Sequence, residues 1–305
     1  MSHILPQEIL DLIIDDLHDE PAALKACCLV SSAWVHRTRN HLFARIEFNT
    51  FTCPIGRWRE TFPDPTNSPA HNARALSIRF PKCITASNVD LFRTFRNVIC
   101  LNVESDSMIR HEATLVPLHG FSTVLRSLRL VSTFFADSEV FDLVCSLPLL
   151  EDLALVFRTP WRPQEWTRPR TSPRLTGSLE LYVEGGFQSI TDHLLRFPNG
   201  LHFRRLAVWL VTSQNIKPVE DLMSRCSDTL ESLSITSLLP GVPHLVSVPN
   251  RNLNFDRSVA LNQPLQSSKA PGCRVSVRRT LCPVDRYRPP LRWVQEHPSG
   301  LDRLF

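Results

Sequence analysis

Ser127-Leu128-Arg129-Leu130 is a four-residue alternation of polar and apolar side chains, and it returns along most of the chain. The same pattern appears as Ala75-Leu76-Ser77-Ile78, Cys100-Leu101-Asn102-Val103, Asp152-Leu153-Ala154-Leu155, Ser178-Leu179-Glu180-Leu181, Arg205-Leu206-Ala207-Val208 and Ser232-Leu233-Ser234-Ile235. Alternation with period two predicts a short strand with one buried face. Between the marker leucines at 76, 101, 128, 153, 179, 206 and 233 the steps are 25, 27, 25, 26, 27 and 27 residues. One such unit cannot bury its apolar face alone, whereas stacked copies share a continuous core. Each leucine buried there contributes roughly 1.5 to 3 kcal/mol relative to exposure.

The step length and the preceding Leu125, Leu150 and Leu230, with Val98 and Phe203 as substitutes, resemble the leucine-rich-repeat class in a degenerate form. No regular Asn closes each strand. The fold class expected is therefore α/β: parallel strands over residues 73–237 in a leucine-rich-repeat-like solenoid of about seven strands. Helices are expected over Val89 to Phe95, Ser138 to Leu147, and Val219 to Cys226, the last opening after Pro218. Between Phe157 and Leu175, Pro160, Trp161, Pro163, Trp166, Pro169 and Pro173 replace the helix with a loop. Side chains alternating with the buried leucines would face a concavity: Arg79, Asn102, Glu104, Arg129, Glu180, Tyr182 and Trp209, with Trp161 and Trp166 at its rim. Aromatics and arginine are enriched in binding patches, so Arg129, Glu180, Tyr182, Trp209, Trp161 and Trp166 are the candidate target-binding residues. The bland alternative is that Tyr182 and Trp209 are packed by neighbouring repeats.

Residues 1–48 have a different texture. Leu5-Pro6 opens a run with Ile9, Leu10, Leu12, Ile13, Ile14 and Leu17, which predicts a helix apolar on more than one side. Pro21 suits the start of a second helix carrying Leu24, Cys27, Cys28, Leu29 and Val30. Ser31 or Ser32 suits the N-cap of a third, reaching Leu42 and Phe43 through Trp34. Three short helices hold too little interior to satisfy all of these side chains. The surplus, notably Leu5, Ile9, Ile13 and Trp34, either docks a partner or caps the repeats behind it.

The order Leu5-Pro6, Glu8-Ile9, Ile13, Leu24, Cys28-Leu29-Val30-Ser31, Trp34 and Leu42-Phe43 resembles the F-box motif, in the form common among fungal F-box proteins. That resemblance implies docking to the Skp-type adaptor of a Skp-cullin-F-box ubiquitin ligase, and through it to a cullin-RING ligase. The matching positions for adaptor contact or for holding the helices are Leu5, Pro6, Ile9, Ile13, Leu29, Val30 and Trp34. Ala33 stands where many F-boxes place Lys or Arg before the Trp. The protein is then expected to be a substrate-recognition adaptor whose repeats hold an unknown protein target for ubiquitination. The alternative is a repeat scaffold with a vestigial F-box and no role in degradation.

Residues 49–72, with Pro54, Pro63, Pro65 and Pro69, read as a linker or an irregular first connection. The period ends at Leu238, and residues 238–305 hold nine of the 24 prolines, ten Lys/Arg and four Asp/Glu. This basic tail is expected to be poorly ordered; a divergent closing cap and residues read from another frame are the other two readings. Its net charge of +6 leaves residues 1–237 at −2, so the body has no bulk attraction to nucleic acid, and a nucleic-acid partner is not expected.

Composition narrows the chemistry. Hydrophobic residues at 43% and charged residues at 21% suit a globular chain. Glu8, Asp11, Asp15 and Asp16 argue against a secretory signal at the start, and no apolar run approaches the roughly 18 residues of a membrane helix. No membrane partner is expected, and the compartment expected is the cytoplasm and/or nucleus. Nine cysteines without a C-x-x-C suggest neither a disulfide framework nor a zinc site; most, such as Cys28 and Cys145, read as small buried hydrophobes. With nine Gly and no phosphate-loop, metalloprotease or serine-hydrolase motif, no catalytic residue, cofactor or metal is expected. Cys27 and Cys28 would act as nucleophiles only beside a base.

Overall fold

A computed structural model of the chain describes residues 6–49, 55–80, 90–105, 115–121, 123–132, 137–157, 172–183, 186–210, 215–237 and 245–249. The protein is α/β, built on one sheet whose strands follow chain order. Eight are parallel: β1 (Arg45–Phe48), β2 (Ala75–Phe80), β3 (Cys100–Ser105), β4 (Ser127–Ser132), β5 (Asp152–Phe157), β6 (Ser178–Val183), β7 (Arg205–Leu210) and β8 (Ser232–Ser237). A ninth, β9 (Leu245–Pro249), pairs antiparallel with β8.

Every marker leucine from Leu76 to Leu233 is buried and sits opposite its counterpart on the next strand. The fixed register has a backbone cause. The carbonyl of the residue preceding most strands accepts two N–H groups from the start of the next repeat. Ala44 O accepts from Arg74 and Ala75, Arg74 O from Ile99 and Cys100, Ile99 O from Arg126 and Ser127, and Arg126 O from Glu151 and Asp152. Gly177 O and Arg204 O act likewise for β7 and β8. At β6 the pattern changes: Glu151 O takes only Gly177 N, and Ser178 N donates instead to Asp152 Oδ1 at 2.6 Å.

The second layer fills the space behind the leucines. Helices α1 (Gln7–Asp16), α2 (Pro21–Val30) and α3 (Ser32–Leu42) precede β1, and α4 (Ile55–Thr61) follows it. α5 (Asp137–Cys145), α6 (Phe187–Leu195) and α7 (Ile216–Arg225) lie between later strands. Val140, Phe141 and Val144 of α5, Phe187, Ile190 and Leu194 of α6, and Val219 and Leu222 of α7 join the strand leucines in one core.

Several expectations are corrected. The stretch 49–72 is not a bare linker: it holds α4 and a 3-10 turn at Pro69–Asn72, and Trp58 and Ala70 are buried in the core. Its prolines break the period and so hide a short helix, while Ser68 caps the 3-10 turn by accepting a hydrogen bond from Ala70 N at 3.3 Å. The boundary at 48 falls at the end of a strand, because β1 pairs with Ala75–Ile78 and extends the sheet past the seven marked repeats. At the other end the sheet continues beyond 238 to β9, while residues 250–305 lie outside the described residues. Helix α7 opens at Ile216 rather than after Pro218, a proline the first turn tolerates because its N–H would lack a helical partner there. Residues 90–92 form a helical turn shorter than the helix expected over Val89 to Phe95.

Candidate functional site

Two surfaces carry the candidate residues. The first is the helical trio. Pro6 precedes α1, where its carbonyl accepts from Ile9 and Leu10, and Pro21 opens α2. Ser31 caps α3, its Oγ accepting from Ala33 N at 3.3 Å. Ile14 of α1 and Leu24 of α2 are buried, and Thr38 of α3 donates to Trp34 O at 2.7 Å.

One carboxylate makes a polar link between α1 and α3. Asp15 accepts from Arg37 Nε at 2.7 Å and from Arg37 Nη2, and His41 Nε2 donates to the same Oδ1 at 2.7 Å. Arg37 and His41 stand four residues apart on α3 and so share a face. These hydrogen bonds hold the Asp15 carboxyl well below the usual carboxylate range, Arg37 first and His41 second, against a smaller opposing effect of burial.

With α1 pinned, its apolar residues divide. Ile14 turns inward, while Ile9, Leu12 and Ile13 are 42%, 64% and 48% exposed. Leu29 and Val30 at the end of α2 are 73% and 67% exposed. Pro6 is exposed, Trp34 is half-buried, and Leu5 lies outside the described residues. Leu12 was not among the expected adaptor-binding positions, although its place in the same apolar run was visible.

The second surface is the sheet face opposite the leucines. Strand register arranges its side chains in rows. The middle row runs Ser77, Asn102, Arg129, Ala154, Glu180, Ala207, Ser234. The next runs Arg79, Glu104, Val131, Val156, Tyr182, Trp209, Thr236. Arg79 donates to Glu104 at 2.7 Å, and Asn102 donates to Ser77 Oγ at 3.1 Å. Arg129 Nη1 reaches across Ala154 to both Glu180 oxygens, at 2.9 and 2.8 Å, because alanine leaves the space between them empty. Tyr182 and Trp209 meet edge to face with centroids 6.3 Å apart. Val156 is buried yet stands outside the leucine core, on this opposite face. Trp161 and Trp166 lie outside the described residues.

Four of the expected target-binding residues, Arg129, Glu180, Tyr182 and Trp209, thus fall on neighbouring positions of one face. Beside them a pocket of about 220 Å³ is lined by Arg129, Asp152, Ala154, Glu180 and Arg205, with Ser127 and Ser178. Asp152 and Arg205 were missed. Both open a strand, and the same alternation that picked out Glu180 places them on this face.

The thiols are less buried than the expectation that most are small buried hydrophobes. Cys226 is buried, Cys27, Cys28 and Cys145 are half-buried, and Cys100 is exposed. Burial pushes the Cys145 thiol up to about 12, with Asp142 adding to the shift, and raises Cys28, Cys100 and Cys226 as well. These four are therefore thiols rather than thiolates near neutral pH. Among the described residues no group of three or more His, Cys, Asp or Glu side chains could hold a metal ion. No described helix is long and apolar enough to cross a membrane.

Fold and surfaces together define an α/β protein with a parallel sheet, an open strand face and an apolar helical face. No protein-family model matches the chain, and no curated protein matches it.

Proposed function

We propose that the protein is a substrate-recognition adaptor of a Skp-cullin-F-box ubiquitin ligase: the helical trio docks to the Skp adaptor, and the strand face of a leucine-rich-repeat-like solenoid holds a protein target. The observation that carries this reading is the outward placement of Ile9, Leu12, Ile13, Leu29 and Val30 on helices whose own interior is already closed by Ile14 and Leu24. Five exposed branched aliphatics on two short helices are costly in water and are characteristic of a surface completed by a partner. The residues sit on a module fixed to the sheet, so a target on the strand face would be held at a set position relative to the ligase. Ubiquitin transfer then gains from proximity supplied by the assembly rather than from chemistry in this chain.

Co-purification of the full chain with the Skp adaptor tests the reading. Wild-type protein should retain the adaptor, and an Ile13→Asp, Leu29→Asp double variant should retain at least about tenfold less, since each charge would have to be desolvated in the interface. Retention unchanged by both substitutions, or none by the wild type, would leave a scaffold with no route to the ligase.

A further inference from the structure

Charges on the strand face are mostly settled within the face itself. Arg79 is paired with Glu104 and Arg129 with Glu180. Arg205, exposed at the start of β7, has no carboxylate partner among the described residues. Its in-register neighbours are the uncharged Ser178 and Ser232. The nearby Asp152 commits Oδ1 to Ser178, accepting from both its N and its Oγ at 2.6 Å.

The same strand face continues through Ala207 to Trp209, because Leu206 and Val208 between them point into the core. Ala207 is a low floor between Glu180 on one side and Ser234 on the other. Trp209 lies between Tyr182 and Thr236 and is only half-buried, its ring fixed edge to face by Tyr182. From Arg205 to Trp209 is four residues of strand, about 13 Å at the usual rise. A second extended chain laid along β7 repeats that distance at its own positions i and i+4.

We propose that β7 is the recognition strand of the target site: an extended segment of the target lies along it, with an Asp or Glu on Arg205 and an aromatic or large aliphatic residue on Trp209 four positions away. The middle side chain sits over Ala207, between Glu180 and Ser234. An Arg at one end and an indole at the other are the two residue types most often found to dominate protein interfaces. This rests on the reading of the strand face as a target site but requires nothing of the adaptor.

Selection of random heptapeptides displayed on phage against the immobilised full chain tests the proposal without any ligase component. Enriched peptides should carry Asp or Glu four residues from Phe, Trp, Leu or Met, in either chain direction. Against Arg205→Glu the acidic preference should turn to Lys or Arg, and the best wild-type peptide, synthesised, should bind that variant and Trp209→Ala at least about tenfold more weakly. Arg205→Gln serves for the same comparison if charge reversal unfolds the chain. Absence of enrichment, or a selected peptide whose affinity survives both Arg205→Gln and Trp209→Ala, would overturn the assignment. Failure of adaptor retention with this pattern intact would remove the ligase reading and leave the strand site standing.

Discussion

A carboxylate that accepts hydrogen bonds from two cationic or potentially cationic side chains has a consequence for stability. The Asp15 carboxyl is depressed in the folded chain, so its contribution is complete above the ordinary carboxylate value near 3.9 and is lost only as pH falls toward the lower folded value. Asp15→Asn should therefore lower the melting temperature at pH 7 and flatten part of the acid limb of the stability curve. A variant that melts with the wild-type pH profile would show that Arg37 and His41 gain nothing from the charge. The pair Asp15 and Arg37 was not foreseeable, since they stand 22 positions apart with the whole of α2 between them. The exposed Ile9 and Ile13 were foreseeable, because a helix apolar on several sides with small neighbours has nowhere to bury them all. Side-chain reach governs the difference: the apolar surplus follows from period and length, whereas an ion pair between helices depends on how they cross.

At the scale of the element, β2 to β8 were read directly because alternation and a step near 26 residues reinforce each other over seven copies, whereas β1 and β9 lie outside that period. Helices fared unevenly. α6 was not anticipated, as Gly186 in the left-handed region at φ 74° and the β-branched Ile190 and Thr191 weaken its local signal; packing of Phe187, Ile190 and Leu194 into the core supplies what propensity does not. One strand start has its own requirement. A Cβ on Gly177 would come within 2.9 Å of Asp152 Cγ and 3.1 Å of Glu151 O, so glycine permits Asp152 to approach and cap β6. Gly177→Ala is expected to destabilise by roughly 1–3 kcal/mol in denaturant unfolding, the range for overpacking combined with a displaced hydrogen-bonding group. In an Asp152→Ala background the same change should cost less, and equal costs in both backgrounds would mean that the crowding lies with the backbone alone.

Across the whole molecule, the helical trio and the sheet meet through aromatic rings. Trp58 of α4 lies 5.6 Å from Phe48 of β1, 5.8 Å from Phe95, 6.1 Å from Phe43 at the end of α3 and 4.7 Å from Phe62. This contact was hidden in the sequence, since its centre falls in a proline-rich stretch with no period. Trp58→Ala should cost roughly 3–5 kcal/mol. With that joint hollowed, far-UV circular dichroism and the fluorescence of the remaining tryptophans should no longer report a single coincident transition; coincident curves at unchanged midpoint would refute a linking role. The carbonyl ladder between successive strands points further. Each rung is anchored to the one before it, and all but the one at β6 are held by the same two-handed grip. A genetic duplication or loss of one such unit, about 26 codons long, therefore lengthens or shortens the molecule by a single rung without rewiring the others, and the open face is free to drift in composition while its spacing is inherited intact.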